Sequence, residues 1–256
     1  MSLRPENTDI EESADIGVTR GVVGKIEDRV MKHTSPFVTI NKLGEYCTSP
    51  SAGRRRTIVK DLKYGNPPKM QRYHAAYEAI GNFVAGGCSD SSLVEGSIAE
   101  LEKKSGLSEW ADNDRANTIL ALQNFLTISP RLKISGKNVE VRKKYPARIR
   151  VGSVDVSVRP EFLLRFDSRG RSKVGAIKLV FSKTRPLTDE WAAYIGTGLR
   201  LYLADRFATT ATPDIASCLV VDVLAGEVFA GPKSITKRTE DLKSSCSEIA
   251  LWWRHL

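Results

Sequence analysis

The chain has 256 residues, of which 41% are hydrophobic and 27% are charged, and its formal net charge is +9. It contains no apolar run of about 18 residues, and its polar amino terminus has no apolar core, so neither a membrane span nor a secretory signal is expected. The four cysteines are scattered and the three histidines share no ligand spacing, which argues against a disulfide framework and a zinc site. The sequence thus predicts a cytoplasmic protein with reduced thiols.

The first half of the chain is predicted to be helical. Residues 1–36 are mostly polar and predict a flexible arm. From residue 37 the apolar residues, beginning with Ile40, Leu43 and Tyr46, recur at helical spacing, and similar stripes follow to residue 128. Residues 37–128 therefore predict a helical lobe of about five helices.

The second half changes to a strand pattern. From residue 129, β-branched residues alternate with charged residues, with the period of two that is typical of half-buried strands. Thr188 is placed to cap a helix after these strands, a hairpin is expected around Ala225, and a final helix is predicted over residues 234–255. Residues 129–256 thus predict a mixed α/β core. The fold class expected for the chain is α/β (α+β), with a helical N-terminal lobe followed by a mixed sheet.

Positive charge is concentrated between Ser129 and Arg185, where 16 Lys or Arg residues stand against four acids. A single charged run is usually a solvated face, but a block of this length repels itself unless an anionic partner crosses it. We therefore expect a groove that follows the phosphate backbone of a nucleic acid. The basic residues expected to line it are Arg54, Arg55 and Arg56, then Arg142, Lys143, Lys144 and Arg148, and finally Arg169, Arg171 and Lys173.

One acid and one lysine within this basic block are candidates for chemistry. Glu161 follows Pro160 at the start of an apolar strand, and Lys178 lies in the next apolar strand. A lysine in so apolar a strand must reach solvent or meet a counter-charge, and Glu161 is the obvious candidate. Two interpretations stay open, namely a cross-strand ion pair without chemistry and part of a phosphodiester-cleaving site.

Pro160, Glu161 and the segment A-I-K that ends at Lys178 stand in the predicted order helix, three strands, helix, strand. This arrangement resembles the restriction-endonuclease-like, or PD-(D/E)XK, nuclease superfamily, over residues 130–230. The resemblance implies a mixed-sheet nuclease core. It also implies that Glu161 is the first metal-binding acid and that Lys178 is the catalytic lysine.

The second acid of the superfamily pattern is missing. Ala176 stands at its position, and Glu190, at the start of the following helix, is the nearest substitute. Asp155 and Glu78 are weaker substitutes. The resemblance implies that Mg²⁺ or Mn²⁺ is held by Glu161, Glu190 and Asp155, because carboxylates are the ligands that such cations use.

Three functions follow as hypotheses. The first is a divalent-metal-dependent nuclease that acts on DNA, in which Lys178 polarises the phosphate. The second is a catalytically inactive module that keeps the nuclease fold and binds nucleic acid. The third is an interaction protein whose basic face meets an acidic partner protein. Only the first of these requires a replacement for the second acid.

Overall fold

The computed structural model describes residues 33–65, 73–104, 108–141 and 148–256. Within these ranges the chain has an α/β fold, in which a mainly helical part precedes the sheet-forming part. The seven α-helices of the described ranges are α1 (Ile40–Thr48), α2 (Ala52–Tyr64), α3 (His74–Ala85), α4 (Ser92–Glu102), α5 (Glu109–Ile128), α6 (Asp189–Phe207) and α7 (Thr236–His255). The eight strands are β1 (Phe37–Thr39), β2 (Asn138–Val141), β3 (Arg148–Val151), β4 (Val154–Ser157), β5 (Phe162–Ser168), β6 (Arg171–Val180), β7 (Thr212–Asp222) and β8 (Glu227–Ala230).

The larger sheet has five strands in the order β2-β5-β6-β7-β8. β6 runs parallel to β7, and the other neighbours are antiparallel. β5 and β6 form a hairpin whose tip places Arg169 and Gly170 at φ of 53° and 69°, the left-handed conformation that tight hairpin turns use. The parallel pair β6–β7 requires a crossover connection, which α6 provides.

Helices cover both faces of the larger sheet. On one face, α1, α2, α6 and α7 belong to a core that includes Leu43 and Val180. On the other face, α3, α4 and α5 belong to a second core that includes Phe125 and Ile177. The helices of residues 37–128 are therefore divided between two layers, because β6 is apolar on both faces and each face needs its own cover.

A second, smaller sheet has the order β1-β4-β3, with β1 parallel and β3 antiparallel to β4. The chain leaves this sheet after Ser157 and enters the larger sheet at Phe162. Between the two sheets Arg159 has a φ of 43°, and Pro160, which cannot donate to a strand ladder, follows it. The chain therefore bends at Arg159 and Pro160 as it passes from one sheet to the other, a change of sheet that the sequence analysis did not predict.

α1 and α6 approach each other closely. A Cβ atom on Gly44 would lie 2.6 Å from the Trp191 side chain, and one on Gly198 would lie 2.3 Å from Ile40. Trp191 also donates its indole N–H to the Asn41 carbonyl at 2.9 Å. Only glycine permits so short a separation of the two helices, which brings the middle of α1 against the start of α6.

Several local predictions are confirmed. The Thr188 side chain caps α6 by accepting the Trp191 backbone N–H at 3.2 Å, and β7 and β8 form the expected hairpin. Most of the predicted flexible arm, residues 1–32, lies outside the described residues. His33 is docked, since its backbone N–H donates to the Lys63 carbonyl at 2.8 Å. In the described ranges, no helix combines the length and the apolar character needed to cross a membrane.

Candidate functional site

Glu161 and Lys178 form a close and largely buried ion pair. The Lys178 Nζ donates to Glu161 Oε1 at 2.7 Å and to the Arg159 carbonyl at 2.8 Å. The second carboxylate oxygen of Glu161 accepts the backbone N–H of Leu179 at 2.6 Å. The Lys178 and Glu161 side chains are only 9% and 17% exposed. The predicted meeting of the two side chains is confirmed, while their catalytic roles stay predictions.

The pair lies where β5 ends and the chain bends away. The register of β5 with β6 ends at Phe162 opposite Ile177, and the Glu161 backbone N–H still donates to the Ile177 carbonyl at 2.9 Å. Beyond that point the Glu161 carboxylate accepts a hydrogen bond from the Leu179 N–H, and Lys178 donates one to the Arg159 carbonyl in the bend. These side chains thus satisfy backbone groups that a longer β5 would have paired, so the pair has a clear structural role.

Aromatic side chains lie close to Glu161. Tyr73, just before α3, and Tyr77, within it, pack on Phe181, with ring centroids 5.0 Å and 4.6 Å away. Burial, and then the charge of Glu161, raise the pKa of Tyr77 above its ordinary value. Tyr77 is therefore within electrostatic reach of the Glu161 carboxylate, and both tyrosines belong to the packing of α3 against the sheet.

The other predicted metal ligands have different surroundings. Asp155 lies on β4 in the smaller sheet, where its carboxylate pairs with Arg150 at 2.7 Å. Glu190 is exposed in the first turn of α6, and Ala176 is fully buried. Across the described residues, no group of three or more His, Cys, Asp or Glu side chains is placed to hold a metal ion.

Glu161 by itself does not fit a divalent cation. Both of its carboxylate oxygens already accept hydrogen bonds, and the ammonium group of Lys178 would repel a second cation at this short distance. Mg²⁺ in proteins uses one or two carboxylates that are free to bind it, together with water and substrate oxygens. The contacts of Glu161 in the described residues therefore do not support the predicted binding of Mg²⁺ or Mn²⁺ there.

Basic side chains gather at the other end of the hairpin. Arg206, in the last turn of α6, donates to the Arg148 carbonyl at 3.2 Å. The Arg165 guanidinium lies 4.9 Å from the ring centroid of Phe207, at the end of the same helix. We call the six basic residues at this end of the sheet the hairpin surface: Arg148, Arg165, Arg169, Arg171, Lys173 and Arg206.

Two members of the hairpin surface are neutralised by acids. Arg165 pairs with Glu140, and Arg206 lies 3.5 Å from Asp205. In the described part of the chain, the other four have no ion pair, and they are Arg148, Arg169, Arg171 and Lys173. Three further predicted members of the groove, Arg142, Lys143 and Lys144, lie outside the described residues.

The hairpin surface and the Glu161–Lys178 pair lie at opposite ends of β6. Arg171 begins the strand and Lys178 follows seven residues later. At about 3.3 Å per residue, the two positions are about 23 Å apart. No single phosphate group can therefore reach both the Glu161–Lys178 pair and the tip of the hairpin.

The three arginines of α2 are engaged within the protein. Arg54 donates its Nε to Glu45 at 3.0 Å, and Arg55 donates to a backbone carbonyl just before the helix at 3.1 Å. The Arg56 guanidinium lies 5.7 Å from the ring centroid of Trp252 on α7. These contacts fasten α2 to its neighbours, and a role of Arg54, Arg55 and Arg56 in nucleic-acid binding stays a prediction.

Glu45 is a buried carboxylate of α1 that the sequence analysis did not single out. Its Oε2 accepts from Lys42 Nζ at 2.7 Å, and its Oε1 accepts from Arg54 and, at 2.7 Å, from Arg185 Nη1. Its side chain is only 5% exposed. The one signal in the sequence is its position between Leu43 and the following apolar residue of α1, and many exposed glutamates share such a position.

The charge of Glu45 predicts an acid-sensitive contribution to stability. Burial works to raise the pKa of Glu45, but hydrogen bonds and charges from Lys42 and Arg54 outweigh it and hold the pKa below its ordinary value of 4.5. The contribution is therefore fully present above the unfolded-state pKa and is lost as the pH falls through the lower folded-state pKa. We expect the free energy of unfolding, measured in urea from about pH 6 to about pH 3, to fall more steeply for the wild type than for Glu45→Gln. Parallel pH profiles for the two proteins would contradict this.

The chain matches no protein-family model and no curated protein.

Proposed function

We propose that this protein binds nucleic acid through the hairpin surface. The observation that carries the proposal is a set of cations at one end of the sheet that lack an ion pair in the described ranges: Arg148, Arg169, Arg171 and Lys173. Asp167 is the one acid in the segment from the start of β5 to Lys173. Unpaired cations on an exposed surface favour a phosphate backbone, because binding releases the counterions of the nucleic acid.

The Glu161–Lys178 pair has a structural role in this proposal. It holds the bend at Arg159 against β6, and both of its carboxylate oxygens already accept hydrogen bonds. The fully buried Ala176 stands where the nuclease resemblance places the second acid. These features favour a nucleic-acid-binding module that keeps a nuclease-like core without metal-dependent cleavage.

A metal-dependent nuclease is the second candidate, and one observation favours it. Glu161 and Lys178 lie 2.7 Å apart at the positions of the first acid and the lysine in the resemblance. The elements α5, β2, β5, β6, α6 and β7 also follow the order helix, three strands, helix, strand, with β3 and β4 inserted between β2 and β5.

A binding and cleavage assay separates the candidates. We expect the wild type to bind duplex and single-stranded DNA at about 50 mM salt, with log K falling linearly as log salt rises, by about one unit of slope per phosphate contact. Fluorescence anisotropy with labelled oligonucleotides measures this, and RNA serves as a parallel ligand. With Mg²⁺ or Mn²⁺ added, we expect the labelled strand to stay intact.

Two outcomes would contradict the proposal. Metal-dependent cleavage that is lost in Lys178→Met would identify a nuclease instead. An absence of binding to DNA and RNA even at low salt would leave the hypothesis of an acidic partner protein.

A further inference from the structure

The buried carboxylate of Glu45 is surrounded by more positive charge than is required to neutralise it. Its three cationic partners come from α1, from α2 and from the loop between β6 and α6, and they are Lys42, Arg54 and Arg185. One cation would neutralise the carboxylate. Three leave an excess of two positive charges at one place, and like charges so close together repel one another.

The three cations remain available to a ligand. Their side chains are 47%, 35% and 55% exposed, although the carboxylate between them is buried. In the described residues, none of the three has a second acidic partner. Asp189 and Glu190, the nearest acids along the chain after Arg185, are exposed and make no ion pair with it. The buried Glu45 carboxylate therefore binds the three cations from the interior of the protein, and their other sides are exposed to solvent.

This cluster lies at the end of the sheet where α/β proteins bind ligands. Arg185 belongs to the loop that follows the carboxyl end of β6, and Glu45 reaches it from α1. In open α/β sheets, ligands bind at the carboxyl ends of the parallel strands. A phosphate group carries about two negative charges near neutral pH, which matches the excess, and arginine side chains bind its oxygens with paired hydrogen bonds.

We propose that Lys42, Arg54 and Arg185, held by Glu45, form a binding site for a single phosphate group. The site is separate from the hairpin surface and does not depend on the function proposed for that surface. The phosphate comes either from a free phosphorylated molecule, including inorganic phosphate, or from the terminal phosphate of a nucleic-acid strand.

Titration of inorganic phosphate into the full chain, followed by calorimetry at constant ionic strength, tests the site. We expect Arg185→Gln and Lys42→Gln each to weaken binding about tenfold, since each removes a charge-assisted hydrogen bond. Lys183→Gln is the matched control, because Lys183 is exposed in the same loop and bonds to Asn113 instead. It should bind phosphate within about twofold of the wild type.

A second arm distinguishes the two sources of the phosphate. Oligonucleotides with and without a terminal phosphate are compared by anisotropy with wild type and Arg185→Gln. If the wild type binds the phosphorylated strand more tightly than the unphosphorylated one, and Arg185→Gln removes that difference, the site is supported and its ligand is a strand end. If inorganic phosphate binds but the two strands bind equally well, the site is supported and its ligand is a free phosphorylated molecule.

The proposal is overturned if neither ligand shows a phosphate effect, or if the effect persists unchanged in Arg185→Gln and Lys42→Gln. Substitution of the hairpin cations should leave the inorganic phosphate titration unchanged. Failure of this site and failure of nucleic-acid binding by the hairpin surface are thus seen in different measurements.

Discussion

Replacement of Lys178 by methionine is expected to lower the free energy of unfolding by about 3 kcal/mol, because it leaves a largely buried carboxylate without its cation. Lys178 is 9% exposed, and its ammonium group serves both Glu161 and the Arg159 carbonyl. After the substitution, Glu161 keeps only the Leu179 N–H, and the carbonyl of the bend loses its donor. The slight exposure of Glu161 places the expected cost at the lower end of the range for broken buried pairs.

Urea denaturation of a small set of variants measures this effect. Lys173→Met is the matched control on the same strand, where the side chain is half-buried and has no ion pair in the described ranges, and we expect it to stay within about 0.5 kcal/mol of the wild type. Glu161→Gln should also destabilise, and the double variant should cost less than the sum of the two single changes, because both single changes remove the same ion pair. A Lys178→Met protein as stable as the wild type would contradict a structural role for the pair and strengthen the nuclease hypothesis.

The combined substitution of Arg169, Arg171 and Lys173 by glutamine is expected to weaken DNA binding about a hundredfold at about 50 mM salt. Each lost phosphate contact should also reduce the salt slope by about one unit, so the slope should become shallower by about three. Two of these side chains are exposed and one is half-buried, and none has an ion pair in the described part of the chain, so the protein should fold normally.

The effect of net charge on DNA affinity differs from the effect of where the charge lies, and a second triple variant distinguishes the two. A control variant with Lys103, Lys104 and Lys237 changed to glutamine removes the same number of charges from exposed positions just beyond α4 and on α7. We expect its affinity for DNA to fall by less than about fivefold, since distant charges act only through a screened field. Equal losses in the two triple variants would show that overall charge, and not the hairpin surface, drives binding.

Local sequence patterns were sufficient for many elements of this fold. Continuous apolar runs located β5 and β6, and a polar segment with glycine located the turn between them. Because that turn is short, Glu161 and Lys178 had to meet at the open end of the hairpin once both strands were recognised. The cap at Thr188 and the hairpin near Ala225 depend on neighbouring residues in the same way.

The division into two sheets could not be read from the same patterns. Only four residues separate β4 from β5, and they include the left-handed Arg159 and the following Pro160. An expectation based on straight strands would place Asp155 on one face with Glu161. The structure instead places Asp155 in the smaller sheet beside Arg150.

Sequence alone determined the strand pair that carries Glu161 and Lys178, since apolar runs and short turns are properties of neighbouring residues. Only the tertiary structure decided what surrounds that pair and where the excess charge lies. Glu45 and Arg185 are 140 residues apart and meet because Gly44 and Gly198 let α1 pack tightly on α6. Such contacts depend on which helix covers which face of the sheet, and no local pattern encodes that choice.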